Sequence, residues 1–167
     1  MNVVMIGFPT REAGLSAMDR IDWAVDEGRI TVSDVAMAYR DDKGKVKIQQ
    51  TADATAGTGA VTGGALGLLV GIFAAPLVGA TVVGAGIGAL VGKARDKGVS
   101  DKLMKQAGEL IEGSEAAVFV LTDDMSAAAI SAVVEQEMAA GTEVSYAVLP
   151  AEAQDFLRES IKLGTAA

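Results

Sequence analysis

The chain has 167 residues, enough for one modest domain with an appendage, and a net charge of −8, which argues against a nucleic-acid partner because a phosphate backbone would repel such a surface. There is no cysteine, which excludes disulfides and thiolate chemistry, and no histidine, which removes the commonest general base and metal ligand. The opening MNVVMIGFPTREAG lacks the basic start and long apolar core of a secretory signal, so the soluble part is expected in the cytoplasm.

Taken in order, Asn2–Phe8 (NVVMIGF) is a short apolar run and predicts a buried strand. Pro9 and Thr10 end it, and Thr10 can cap the helix that follows. Arg11–Glu27 places Leu15, Met18, Ile21 and Val25 at helical spacing, with Gly28 as its stop. Val35, Met37 and Tyr39 alternate with small residues along a second strand, Asp34–Arg40. The turn signal Asp41-Asp42-Lys43-Gly44 then leads to a third strand, Lys45–Gln50, paired with the second.

From Ala54 to Gly92 no side chain can ionise. Glycine recurs every fourth residue at Gly59, Gly63, Gly67 and Gly71, and again at Gly84, Gly88 and Gly92 after Pro76. On a helix these positions share a face, and the missing side chains let another backbone approach closely. Each mid-helix glycine costs roughly 1 kcal/mol relative to alanine, so the pattern makes sense only where close packing offsets that loss. The stretch therefore predicts two glycine-zipper helices, Thr55–Ala75 and Leu77–Gly92, folded back at Pro76. The basic cluster Lys93, Arg95 and Lys97 closes it, as expected on the cytoplasmic flank of an apolar segment.

Beyond the insert, Ser100 caps a helix over Asp101–Glu112 with Leu103, Ala107, Leu110 and Ile111 on one face, stopped by Gly113. Ala116–Thr122 (AAVFVLT) is another apolar strand. Asp123 or Asp124 can cap an alanine-rich helix, Met125–Ala139, that ends at Gly141. Glu143–Leu149 alternates through Val144, Tyr146 and Val148, and Pro150 opens an amphipathic helix, Ala151–Leu163.

Each end of the chain thus runs apolar strand, capped helix, glycine, alternating strand. Two β-α-β units in one domain predict an α+β fold, a ferredoxin-like α/β sandwich with helices over one face of the sheet and the glycine-zipper helical hairpin inserted after the third strand. The corresponding division is a discontinuous α/β domain over residues 1–53 and 98–167, and a hairpin over residues 54–97.

Three motifs invite a sharper reading and fail on context. Gly84-Ala85-Gly86-Ile87-Gly88-Ala89 fits a variant of the dinucleotide fingerprint, but no second strand bearing an acidic residue follows at the required distance. Gly88-Ala89-Leu90-Val91-Gly92-Lys93-Ala94 is one residue short of a phosphate-binding loop and has alanine where a magnesium-binding hydroxyl belongs. The pairs Asp41-Asp42 and Asp123-Asp124 could bind a hard cation, yet both fall where aspartate is favoured for turns and helix starts. Trp23 and Tyr39 read as core or interface residues rather than as a stacking site. No catalytic, cofactor-binding or metal-ligating set emerges, and the chain is expected not to be an enzyme.

Two helices of about 18 residues each rise roughly 27 Å, barely the hydrocarbon thickness of a bilayer. Such a hairpin returns the chain to the side it left, so both soluble flanks share the cytoplasm. The alternative is a soluble assembly in which several hairpins bury one another, because an exposed apolar patch of this size is implausible on a monomer in water. Either way the expected partner is a second copy of the chain, with membrane lipid as the expected surroundings. A small-molecule-sensing module built on the same sandwich is a further alternative.

The run NVVMIGF, the turn DDKGKVKIQQ, the block TGGALGLLVGIFAAPLVGATVVGAGIGALVG, the helix SDKLMKQAGELI, the run GSEAAVFVLT and the strand EVSYAVL together resemble a bacterial domain-of-unknown-function family of predicted membrane proteins. The resemblance extends over nearly the whole chain, and the glycine-rich block is its most specific part. It implies a small membrane-associated or self-associating protein with no assigned activity and no catalytic residues to carry over.

Overall fold

The computed structural model describes residues 2–44, 46–50, 99–122, 127–138 and 144–155. Its strands are β1 (Asn2–Phe8), β2 (Asp34–Arg40), β3 (Val46–Gln50), β4 (Ala116–Thr122) and β5 (Val144–Val148). Its helices are α1 (Arg11–Asp26), α2 (Asp101–Gly113) and α3 (Ala127–Val134), the last continued by a 3-10 turn over Glu135–Glu137. The strands form one antiparallel sheet in the order β3-β2-β4-β1-β5.

The apolar runs NVVMIGF and AAVFVLT become the two central strands, β1 and β4. Their side chains point alternately to the two faces, so a run that is apolar at consecutive positions needs cover on both. The cover is present. Val4, Ile6, Phe8, Val118 and Val120 pack with Met18 and Ile21 of α1 and Ile130 and Val134 of α3. Val3, Met5, Phe119 and Leu121 pack on the other face with Leu103, Ala107 and Ile111 of α2 and with Ala153, in the helical residues 151–155. The expectation of helices over one face is therefore corrected: they lie on both, because β1 and β4 are apolar on both.

β1 and β2 run parallel with β4 between them, and β4 and β5 run parallel with β1 between them. The two β-α-β units expected from the sequence are thus interleaved in one mixed α+β layer structure, with β3 added at the edge beside β2.

Local chemistry explains the boundaries. Thr10 Oγ1 accepts from the Ala13 amide at 3.1 Å and Ser100 Oγ from the Leu103 amide at 3.2 Å, so both expected N-caps are made. α1 ends with Gly28 at φ +67°, its amide donating to Val25 O and the Arg29 amide to Ala24 O, the paired bonds of a Schellman motif. α2 ends differently from expectation. Gly113 is its last helical residue, with no left-handed turn, and the Ser114 hydroxyl donates to the Leu110 carbonyl. Among the described residues the alanine-rich helix is α-helical over Ala127–Val134 and then tightens to 3-10 geometry, and residues 123–126 and 139–143 lie outside those described.

Candidate functional site at one end of the sheet

The strand register defines two ends of the sheet. Asn2, Asp34, Thr122 and Val148 mark one, and Phe8, Arg40 and Ala116 mark the other. α1 starts at the second end, where a β-carbon on Gly14 would meet Ala116, and it finishes at the first. There the following loop is tied down by the Ser33 amide donating to Leu121 O at 2.7 Å and by Thr122 Oγ1 donating to Thr31 O at 2.7 Å. α2 runs in the opposite direction on the opposite face. Its Ser100–Leu103 start lies beside Val148, and its Leu110 reaches Gly7 at the far end. β3 enters opposite Arg40 and leaves at Gln50, opposite Ala36, heading toward the Asp34 end.

Gln50 and Val99, the described residues on either side of 51–98, therefore both lie toward the same end of the sheet. The seven glycines expected to drive association, Gly59, Gly63, Gly67, Gly71, Gly84, Gly88 and Gly92, lie outside the described residues, as does the Asp123-Asp124 pair.

Among the described residues, two clefts open at that end. One, of about 400 Å³, lies between the last turn of α1 and the start of β2, lined by Asp22, Val25, Asp26, Val32, Ser33 and Asp34. Asp22 is held above the ordinary carboxylate range, first by partial burial and then by the charges of Asp19 and Asp26 on the same helix. Among the described residues no group of three or more carboxylates is placed to hold a metal ion. The other cleft, of about 340 Å³, lies between the start of α2 and the end of β5, lined by Ser100, Lys102, Leu103, Gln106, Ala147, Val148 and Pro150.

Two large apolar side chains are exposed among the described residues, and both belong to this end: Trp23, 53% exposed, and Val148, 77% exposed. Trp23 sits one turn from the end of α1, on the side opposite the buried stripe of Ala17, Ile21 and Ala24, with the Arg29 guanidinium 5.3 Å from its ring centroid. Trp23 is therefore not a core residue. Its place off the Met18–Ile21–Val25 stripe, between Asp19 and Glu27, was the signal in the sequence. Tyr39 is half-buried at the other end, with Arg11 stacked 4.0 Å from its ring centroid.

The expected reading of Asp41-Asp42 as turn chemistry holds. Asp41 Oδ1 accepts from the Lys43 amide at 2.9 Å, Asp41 O accepts from the Gly44 amide at 2.8 Å, and Gly44 adopts φ +73°.

A protein family described as "Protein of unknown function (DUF1269)" matches residues 60–162. The match covers more than half of the chain, and the chain belongs to that family. It begins inside the uncharged stretch and runs through α2, β4, α3 and β5, so β1, α1, β2 and β3 fall outside it and the likeness is narrower than the nearly whole-chain resemblance read from the sequence. No curated protein and no solved structure matches the chain. Among the described residues no helix is long and apolar enough to cross a membrane.

Proposed function

We propose that this is a non-enzymatic, self-associating protein in which a ferredoxin-like sandwich carries a glycine-zipper hairpin that inserts into or packs against a membrane. The observation that carries the reading is the stretch Ala54–Gly92, without one ionisable side chain and with glycine at every fourth position in each half. Apolar sequence of that extent must be buried in lipid or in copies of itself. The interleaved β-α-β units, with β1 and β4 central, support the ferredoxin-like description of the carrier. The return of the chain to the end it left supports a hairpin rather than a linker between separate bodies. The cytoplasmic side of the membrane is the proposed location of the sandwich.

A second reading, a soluble assembly with the hairpins as its dry interior, is favoured by one observation. Each half of the stretch, at about 18 residues, is only just long enough to span.

The glycine faces are tested by size measurement in mild detergent. Gly67→Leu or Gly88→Leu should push the backbones apart and dissociate the assembly, because the close dispersion contacts are lost. Leu69→Ala, off the glycine face, should leave its size unchanged. Equal effects of all three variants would contradict a glycine-mediated contact.

A further inference from the structure

We infer that the sandwich meets the membrane end-on, with the Asn2–Asp34–Thr122–Val148 end against the lipid headgroups and Trp23 as its interfacial anchor. The inference rests on the membrane reading above and adds an orientation and a lipid-contacting surface to it. Three placements converge. Residues 51–98, which contain the uncharged stretch, depart after Gln50 and return at Val99 from this end. A hairpin rooted there brings this end, and no other, to the bilayer.

The two large apolar side chains exposed among the described residues, Trp23 and Val148, lie at the same end although they belong to elements far apart in sequence. Trp23 precedes the last residue of α1 by three positions, a rise of roughly 4.5 Å. That offset is comparable with the depth of one headgroup layer, roughly 6 Å. Its ring lies on the flank of the sandwich, where a tryptophan belongs when it girdles a body at headgroup level. Arg29, over the same ring, is a side chain suited to a phosphate group.

Charge selects the lipid. Among the described residues at this end Asp22, Asp26, Glu27, Asp34 and Asp101 outnumber Arg29 and Lys102, and the basic cluster Lys93, Arg95 and Lys97 next to it in sequence brings the two signs close to even. Such a balance gives an anionic surface no net pull, so the partner is a zwitterionic headgroup layer, held by the hairpin and by apolar contact. The opposite end, with Arg11, Arg40 and the Asp41–Gly44 turn, faces away from the bilayer.

The chain supplies its own reporters, because Trp23 is its one tryptophan and it has no cysteine. The full-length protein is reconstituted with phosphatidylcholine vesicles and floated on a density gradient. Tryptophan emission is recorded with and without brominated phosphatidylcholine, and Val148→Cys and Asp42→Cys each carry an environment-sensitive dye. The orientation predicts that the protein floats, that Trp23 emission shifts to the blue and is quenched by the brominated lipid, that the dye at position 148 shifts likewise, and that the dye at position 42 does not. Flotation with Trp23 and position 148 still in water overturns the orientation and leaves the hairpin reading intact. Flotation with position 42 shifted as strongly as position 148 overturns it as well, since the sandwich would then lie on its side. Failure to float overturns both the orientation and the membrane reading beneath it.

Discussion

Gly14 marks the closest approach of α1 to the sheet. A β-carbon there would stand 2.7 Å from Met37 Sδ and 2.9 Å from Ala116 Cβ. The sulfur can swing aside, but the Ala116 methyl is fixed to a central strand. Alanine would gain about 1 kcal/mol in helix propensity and lose about 1–3 kcal/mol to overpacking. Gly14→Ala should therefore lower the midpoint of chemical unfolding, and a raised midpoint would mean that α1 can move away from the sheet. Asp22 gives a different kind of test. Its folded pKa lies above the usual value of 3.8, through partial burial and the neighbouring Asp19 and Asp26 charges, so the folded state binds this proton more tightly than the unfolded chain does. The stability it contributes is present below the unfolded value and is lost as pH rises through the folded one. At neutral pH its charge is a cost, and Asp22→Asn should stabilise the fold there by at most about 1 kcal/mol, given solvent screening of a half-exposed side chain. Thermal unfolding should show that advantage near pH 7 and its disappearance below about pH 4, where the wild-type carboxyl is protonated in both states. A destabilised variant at neutral pH would assign Asp22 a hydrogen-bonding role instead.

The elements were legible where one local signal had no competitor. The turn Asp41–Gly44, the caps Thr10 and Ser100, and the apolar runs that become β1 and β4 each form as their residues dictate. Layering was harder to read, because apolar residues at consecutive positions of a strand mean two buried faces, a consequence that only the packing of α2 opposite α1 makes visible. The end of α2 was misread because Ser114 closes the last turn with its side chain, a role that a neighbouring glycine hides. The exposure of Trp23 had its signal in the helix pattern, but the clefts and the shared end of Trp23 and Val148 were not legible, since helix packing and strand order bring those separate elements together. The same order makes a prediction about the insert. Between β3 and the start of α2, beside β5, the chain must cross about four strand spacings and one layer, roughly 22 Å. A flexible linker of about 16 residues has a root-mean-square span of roughly 22 Å. Replacing Ala54–Gly92 with such a linker should leave a soluble remainder that unfolds cooperatively by circular dichroism. An aggregated or unfolded product would place the stretch inside the main core and erase the domain division.

For the whole molecule, the described part is a sheet covered on both faces, with its two exposed large apolar side chains at one end, toward which the residues flanking 51–98 also lie. A net charge of −8 opposes association through the acidic surface, so the proposed association rests on the uncharged stretch. The central claim is that the hairpin cannot stand alone in water. Sedimentation velocity of the full-length chain in plain buffer, without lipid or detergent, tests it most directly. A chain of 17.0 kDa should sediment only as a large particle or fail to stay in solution. A monodisperse monomer at that mass would contradict the account in both its membrane and its soluble-assembly form.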